Sequence, residues 1–301
     1  MNILPDLMFE REKLRAQIKK WKWLFFGLLA IVIFAFVNKS PKDKSPFIAR
    51  INIEGSIVYN AQMIKRINSL AEEKNVRAVI VDIDSPGSTA FAGEELYIAL
   101  KKLSAKKPVV AVLKTMATSG GYLTALGANY IVARNMTITG SIGVLWQSFE
   151  AVELANKLGI KFVSVKSSPL KASPNPMEQT SEEAKEVVME AVQEDYAVFL
   201  SMLMESRKMT KEKAIKIADG RVYNGIAAQK LGLVDQIGGE DEALAWLENV
   251  NKIPAKTRII DVSWEEQESL YKELTKFLGN ANAMIDSGIM KQSGKGALFL
   301  K

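Results

Sequence analysis

A chain of 301 residues, 48% hydrophobic and 25% charged, has the composition of a folded protein with room for one sizeable domain. It contains no histidine and no cysteine, which excludes a Ser-His-Asp triad, a cysteine nucleophile, a disulfide, and zinc held by those ligands. The net charge of +6 is confined to the N-terminus: residues 1–50 hold 10 Lys/Arg against 4 Asp/Glu, leaving 30 against 30 beyond, so no basic face for a nucleic acid is expected.

Residues 1–22 form a basic leader, followed by an apolar run over residues 23–37, with Trp21 and Trp23 placed for an interfacial belt. At about 1.5 Å per residue, the run reaches roughly 22 Å of a hydrocarbon core about 30 Å thick, so Lys22 and Lys39 would have to snorkel. A cleaved signal segment and a buried core helix compete with an anchor. The missing A-x-A pattern after Val37 and the long charged leader favour an uncleaved transmembrane anchor. Six basic residues before the run and four soon after it place the N-terminus inside and the folded part outside the cytoplasm.

A linker rich in Lys, Ser and Pro, residues 38–46, leads to alternating elements. Strands are predicted over Phe47–Ile53, Arg77–Ile83 and Pro108–Leu113, with helices over Ala61–Lys74 and Gly93–Ser104 between them. Strand-then-helix repetition argues for an α/β fold with a parallel sheet. A helix opening near Ser119, a strand Tyr130–Ala133, a helix Glu150–Leu158 and a strand Lys161–Val165 follow. Ser167–Pro176, with three prolines, reads as a loop. Thr180 and Glu183 have capping-box spacing and open a long helix to about Arg207. Helices at Lys211–Ala218, Asn224–Leu231 and Glu240–Asn249, strands at Leu233–Ile237 and Thr257–Val262, and a helix Trp264–Leu278 complete the pattern. Residues 279–301 show no period.

Ser119 follows a buried strand and precedes Gly120 and Gly121. Backbone N–H groups at such a turn can hold an oxyanion, and glycines let a carbonyl approach them, although a plain helix cap uses the same residue type. A second turn, Asp84-Ser85-Pro86-Gly87-Ser88, ends on the same edge of a parallel sheet, so the N–H of Gly87 or Ser88 could join that of Gly120. Without histidine, a serine nucleophile needs an amine or a carboxylate as base. Lys171 is the first candidate, lying in the Pro-rich loop with no charged neighbour from Ser167 to Met177; Lys166 and Lys114, at strand ends, are the others.

Four motifs together resemble the short form of the signal peptide peptidase A family, membrane-anchored serine proteases with the crotonase-like fold of the ClpP peptidases. They are Asp84-Ser85-Pro86-Gly87; Ala117-Thr118-Ser119-Gly120-Gly121-Tyr122; Thr139-Gly140-Ser141-Ile142-Gly143-Val144; and Ala218-Asp219-Gly220-Arg221-Val222-Tyr223, continuing to Leu231-Gly232-Leu233-Val234-Asp235. The resemblance implies repeated ββα units, a peptidase domain over 47–250 and a C-terminal extension over 251–301. It implies Ser119 as nucleophile, Lys171 as base, Ser141 holding that lysine, and Gly87, Ser88 and Gly120 at the oxyanion hole, with no cofactor and no metal. It further implies hydrophobic peptide substrates such as signal peptide remnants, single-pass insertion in the cytoplasmic membrane with the catalytic domain on the outer side, and a ring of subunits, an octamer being one form. Serine and lysine of one site would come from neighbouring subunits. Ser88 and the serines around Lys171 depart from the family pattern, where glycine is usual. An acyl-CoA hydratase or isomerase on the same fold, and a non-catalytic membrane scaffold, are the alternatives.

Overall fold

The computed structural model describes residues 4–37 and 45–264. The chain divides into two units, Met1–Ser45 and Pro46–Lys301. The expected helix beyond Trp264 and the tail lie outside the described residues.

The first unit holds one helix, α1 (Leu4–Val37), which exposes Trp21, Trp23, Phe25, Leu28 and Phe34. The expected transmembrane anchor occupies its C-terminal half, but no helix among the described residues is long and apolar enough to cross a membrane. The physical shortfall is length: the uncharged run is about three quarters of a span, and Lys19, Lys20 and Lys22 crowd its start.

In the second unit the expected alternation appears as β1 (Phe47–Glu54), α2 (Ala61–Glu72), β2 (Val76–Ser85), α3 (Ala90–Ser104), β3 (Val109–Thr118), α4 (Gly120–Ala125), β4 (Tyr130–Ala133) and β5 (Ile138–Gly140). The arm that follows carries only α5 (Val152–Lys157) before α6 (Glu182–Arg207) and α7 (Lys211–Ile217). Then come β6 (Val222–Asn224), α8 (Gly225–Leu231), β7 (Gln236–Ile237), α9 (Glu240–Asn249) and β8 (Ile259–Asp261). The sheet runs β6-β5-β3-β2-β1-β8, and every pairing is parallel except β5 with β6. The long β3 pairs with β4 through its first half and with β5 through its second, so two short strands succeed each other along one edge. One helix follows each of the first three strands; a doubled strand of the ββα kind occurs at β4–β5.

Both faces of the central strands are covered, which is why β2 and β3 read as continuous apolar runs. Ile51, Val81 and Ala111 face the larger core with residues of α2, α3, α4 and α6, while Ile48, Ile80 and Val112 face a smaller core closed by Ala243 and Leu247 of α9. Asn60 and Thr89 cap α2 and α3 through their side chains. The cap of α6 is Ser181, one residue beyond the expected Thr180, whose N–H instead donates to Glu150.

Three expectations change. No strand forms over Lys161–Val165: among the described residues no strand pairs with it, and Val165 is 98% exposed. The strand expected at Leu233–Ile237 shrinks to β7, since Leu233 and Val234 are spent on the core. β5 and β6, three residues each, escaped the pattern because a strand that short shows no period.

Candidate active site

β2 and β3 end at the same edge of the sheet, and the turns beyond them are tied together before any substrate arrives. Asp84 accepts a hydrogen bond from the Met116 N–H at 3.0 Å, and the Thr118 hydroxyl donates to the Pro86 carbonyl at 2.9 Å. Ser119 then leaves the strand at φ 51°, ψ −123°, a conformation costly for a residue with a Cβ and characteristic of sharp strand-to-helix turns at functional sites. It occupies the cap position of α4, yet its hydroxyl makes no capping hydrogen bond. The hydroxyl is therefore not consumed by the local role that competes with catalysis.

The first turn folds over this serine. Gly87 has φ 149°, and a Cβ there would stand 3.3 Å from the Ser119 Cβ, so only glycine suits both the backbone and the space. A Cβ on Gly120 would fall 1.8 Å from Ser88 Oγ and 2.6 Å from the Ser88 nitrogen, which shows how closely the two turns meet. The Gly87 N–H donates to Ser85 Oγ at 3.1 Å. Of the N–H groups singled out from the sequence, those of Ser88 and Gly120 donate no hydrogen bond among the described residues, the latter because the first N–H groups of a helix have no partner inside it. Ser88, the departure from the family pattern, keeps its backbone donor and seats its side chain against Gly93 and Gly120.

Ser141 lies beside Ser119 in the same cleft. The Gly140 carbonyl accepts the Ser119 N–H at 2.8 Å, and the Ser141 N–H donates to the Arg221 carbonyl at 2.8 Å, so the third and fourth motifs meet here. Ser119, Gly120, Gly87, Ser88 and Ser141 all line one cleft of about 1300 Å³, whose walls include Ile57, Leu123, Val144 and Phe199.

Among the described residues, no lysine or arginine lines that cleft. Lys171 is exposed, on a turn closed by its own N–H donating to the Ser168 carbonyl at 3.1 Å. Lys166 is ion-paired with Glu178, and Lys166, with Ser164 and Asn175, holds the Glu178 carboxyl down to about 2. Lys114 pairs with Asp82 at 2.8 Å. Among the described residues, Ser119, Gly87, Ser88, Gly120 and Ser141 come together in one cleft and Lys171 does not line it.

Sequence reasoning missed the supports of α4. The Tyr122 hydroxyl donates to the Leu233 carbonyl at 2.8 Å, and burial pushes its phenol pKa up. Arg207 grips Asp235 with two nitrogens, at 2.6 and 3.0 Å, and Asp235 accepts the Ile131 N–H. The Leu-Gly-Leu-Val-Asp motif thus braces the nucleophile helix; a tyrosine three residues after the serine was the available signal.

Residues 101–253 match the family described as Peptidase family S49. A protease of Synechocystis is 33% identical over 84% of this chain and 91% of its own length. The chloroplastic serine protease SPPA of Arabidopsis thaliana is 32% identical over 89% of this chain, which spans 39% of that longer protein. Among solved structures, the 1510-N membrane-bound stomatin-specific protease superposes with a TM-score of 0.50 at 16% identity, covering 73% of this chain and 98% of that one, a likeness of fold. The chain belongs to peptidase family S49, the serine proteases of the signal peptide peptidase A kind.

Proposed function

We propose that the chain hydrolyses peptide bonds through an acyl-enzyme on Ser119, with a lysine amine as base. Ser119 Oγ attacks the scissile carbonyl carbon and gives its proton to the neutral amine. The resulting oxyanion is held by the N–H groups of Ser88 and Gly120. The C–N bond then breaks, the amine returns its proton to the leaving nitrogen, and water repeats the cycle on the ester to free the acid and restore Ser119. The observation that carries this reading is the uncapped Ser119 hydroxyl, held at φ 51° against Gly87 inside a cleft.

Lys171 is the base, held by Ser141, and a neighbouring copy delivers it. An amine has an ordinary pKa of about 10.4 and becomes a base near neutrality only when it is dried out. Lys171 is exposed in the single chain, and the arm around it displays Leu145, Phe162 and Val165 to solvent. Packing those side chains against the next copy in a ring would both bury them and cover the amine. Exposed Trp21, Trp23, Phe25 and Phe34 on α1, with the basic residues before them, support membrane attachment with the N-terminus inside. The apolar cleft supports hydrophobic peptides as substrates, signal peptide remnants among them.

The test is labelling of the purified assembly by a serine-reactive acylating probe. Wild type labels; Ser119→Ala and Lys171→Ala do not. Mixed in equal amounts before assembly, the two inactive variants recover about a quarter of the sites, because a pairing of intact residues then arises between copies. Labelling that survives Ser119→Ala ends the proposal, and a mixture that stays silent removes the sharing of sites.

A further inference from the structure

α6 presents one face to the cleft, and that face is apolar except at one position. Val187, Ala191 and Val192 precede Asp195, and Val198, Phe199 and Met202 follow it at helical spacing, all lining the cleft that contains Ser119. A second carboxylate, Glu94 in the first turns of α3, lines the same space. Among the described residues, no lysine or arginine lines the cleft, and neither carboxylate has an ion pair or a hydrogen bond with another side chain. Asp195 is exposed and Glu94 half-buried, so both carboxylates are open to the cleft, and a cation entering it would give them a partner that the described residues do not.

Resting on the peptidase reading above, we infer that Asp195 and Glu94 determine specificity, selecting apolar peptides that carry a lysine or arginine a few residues from the scissile bond. The chemistry of such a side chain fits the place. Its methylene stem lies along valines while its charged head reaches the carboxylate, which is how long cationic side chains bury their apolar part. A glutamate at the same point of the peptide meets two like charges, and a glutamine meets neither attraction nor repulsion, so the carboxylates act by rejection as well as by attraction.

The experiment uses the full-length assembly and a set of extended apolar peptides identical except for one residue, placed as lysine, glutamine or glutamate at successive positions. Binding is read on the Ser119→Ala protein, which cannot turn over, and hydrolysis on wild type. At one or two positions the lysine peptide binds about tenfold more tightly than the glutamate peptide, and kcat/KM follows the same order. Asp195→Asn and Glu94→Gln each shrink that ratio, and Asp195→Lys inverts it. Equal binding of the three peptides at every position overturns the inference whatever hydrolysis shows. A binding preference without any hydrolysis by wild type leaves the inference standing and removes the peptidase reading. If Asp195→Asn instead weakens all peptides alike and lowers the mass of the assembly, the carboxylate serves a contact between copies and the inference falls.

Discussion

The turns at the end of β2 and β3 and the arm between β5 and α6 are opposites. Around Ser119 almost every polar group is spoken for: Asp84 holds Met116, Thr118 holds Pro86, Ser85 holds Gly87 and Gly140 holds Ser119. Gly120, Tyr122 and Leu126 behind the serine are fully or almost fully buried. Along the arm, α5 buries no side chain, and Leu145, Leu154, Leu158 and Val165 are all more than half exposed. One half of the site is preorganised by the sheet that carries it. The other half has the composition of a packed element and the exposure of an unpacked one among the described residues, which is the surface the proposed assembly would cover.

The sharpest way to break this contrast is to disturb the preorganised half by one methyl group. Gly120→Ala puts a Cβ where Ser88 already stands, forcing the two donor N–H groups apart, and we expect probe labelling and kcat/KM to fall on the order of a hundredfold. Circular dichroism checks that the protein stays folded, since overpacking of this kind costs about 1–3 kcal/mol. A labelling rate within a few-fold of wild type would show that the turns are looser than their contacts imply.

The next test addresses the arm. Val165 touches little in the single chain, so Val165→Asp should change the thermal stability of dissociated chains by no more than about 0.5 kcal/mol, the usual range for a surface substitution. In the assembly the same carboxylate would be forced into an apolar contact. If the proposed ring forms, we expect sedimentation to show it breaking up and probe labelling to fall about tenfold or more. An intact ring with normal labelling would mean that the exposed valine is a surface residue and nothing else.

The same contrast decides how far the sequence could be read. β2 and β3 were legible because burial on both faces leaves an unbroken apolar run, and the meeting of the turns that bear Gly87, Ser88, Ser119 and Gly120 was legible because parallel strands end on one edge. That Gly87 spends its N–H on Ser85 was not, since a backbone hydrogen bond leaves no mark on composition. The run Lys161–Val165 reads as a strand because its apolar residues fit one; the chain alone offers it no partner, so the pattern is locally correct and globally unfulfilled. Local sequence puts Lys171 ahead of Lys166 and Lys114 only by its lack of charged neighbours along the chain. What separates them is the company each keeps, and Glu178 and Asp82 lie 12 and 32 residues away from the lysines they hold.

The smallest expected effect sharpens the comparison from inside the arm, where Glu178 is bonded to Lys166, Ser164 and Asn175. Its folded pKa, about 2, lies below the ordinary glutamate value of about 4.3. The bonds it makes to Lys166, Ser164 and Asn175 therefore stabilise the arm in full above that ordinary value, and the stabilisation is lost as the pH falls from there through about 2. Glu178→Gln removes the charge at every pH and should abolish this dependence. Hydrogen exchange of residues 164–178 measured between pH 6 and pH 2.5, corrected for intrinsic rates, should show wild type losing protection over the acid end while Glu178→Gln is weakly protected throughout. The segment around Ser119, whose ties do not pass through Glu178, should keep its protection in both proteins. If wild type and variant exchange alike across the range, the Lys166–Glu178 pair does nothing to hold the turn that bears Lys171.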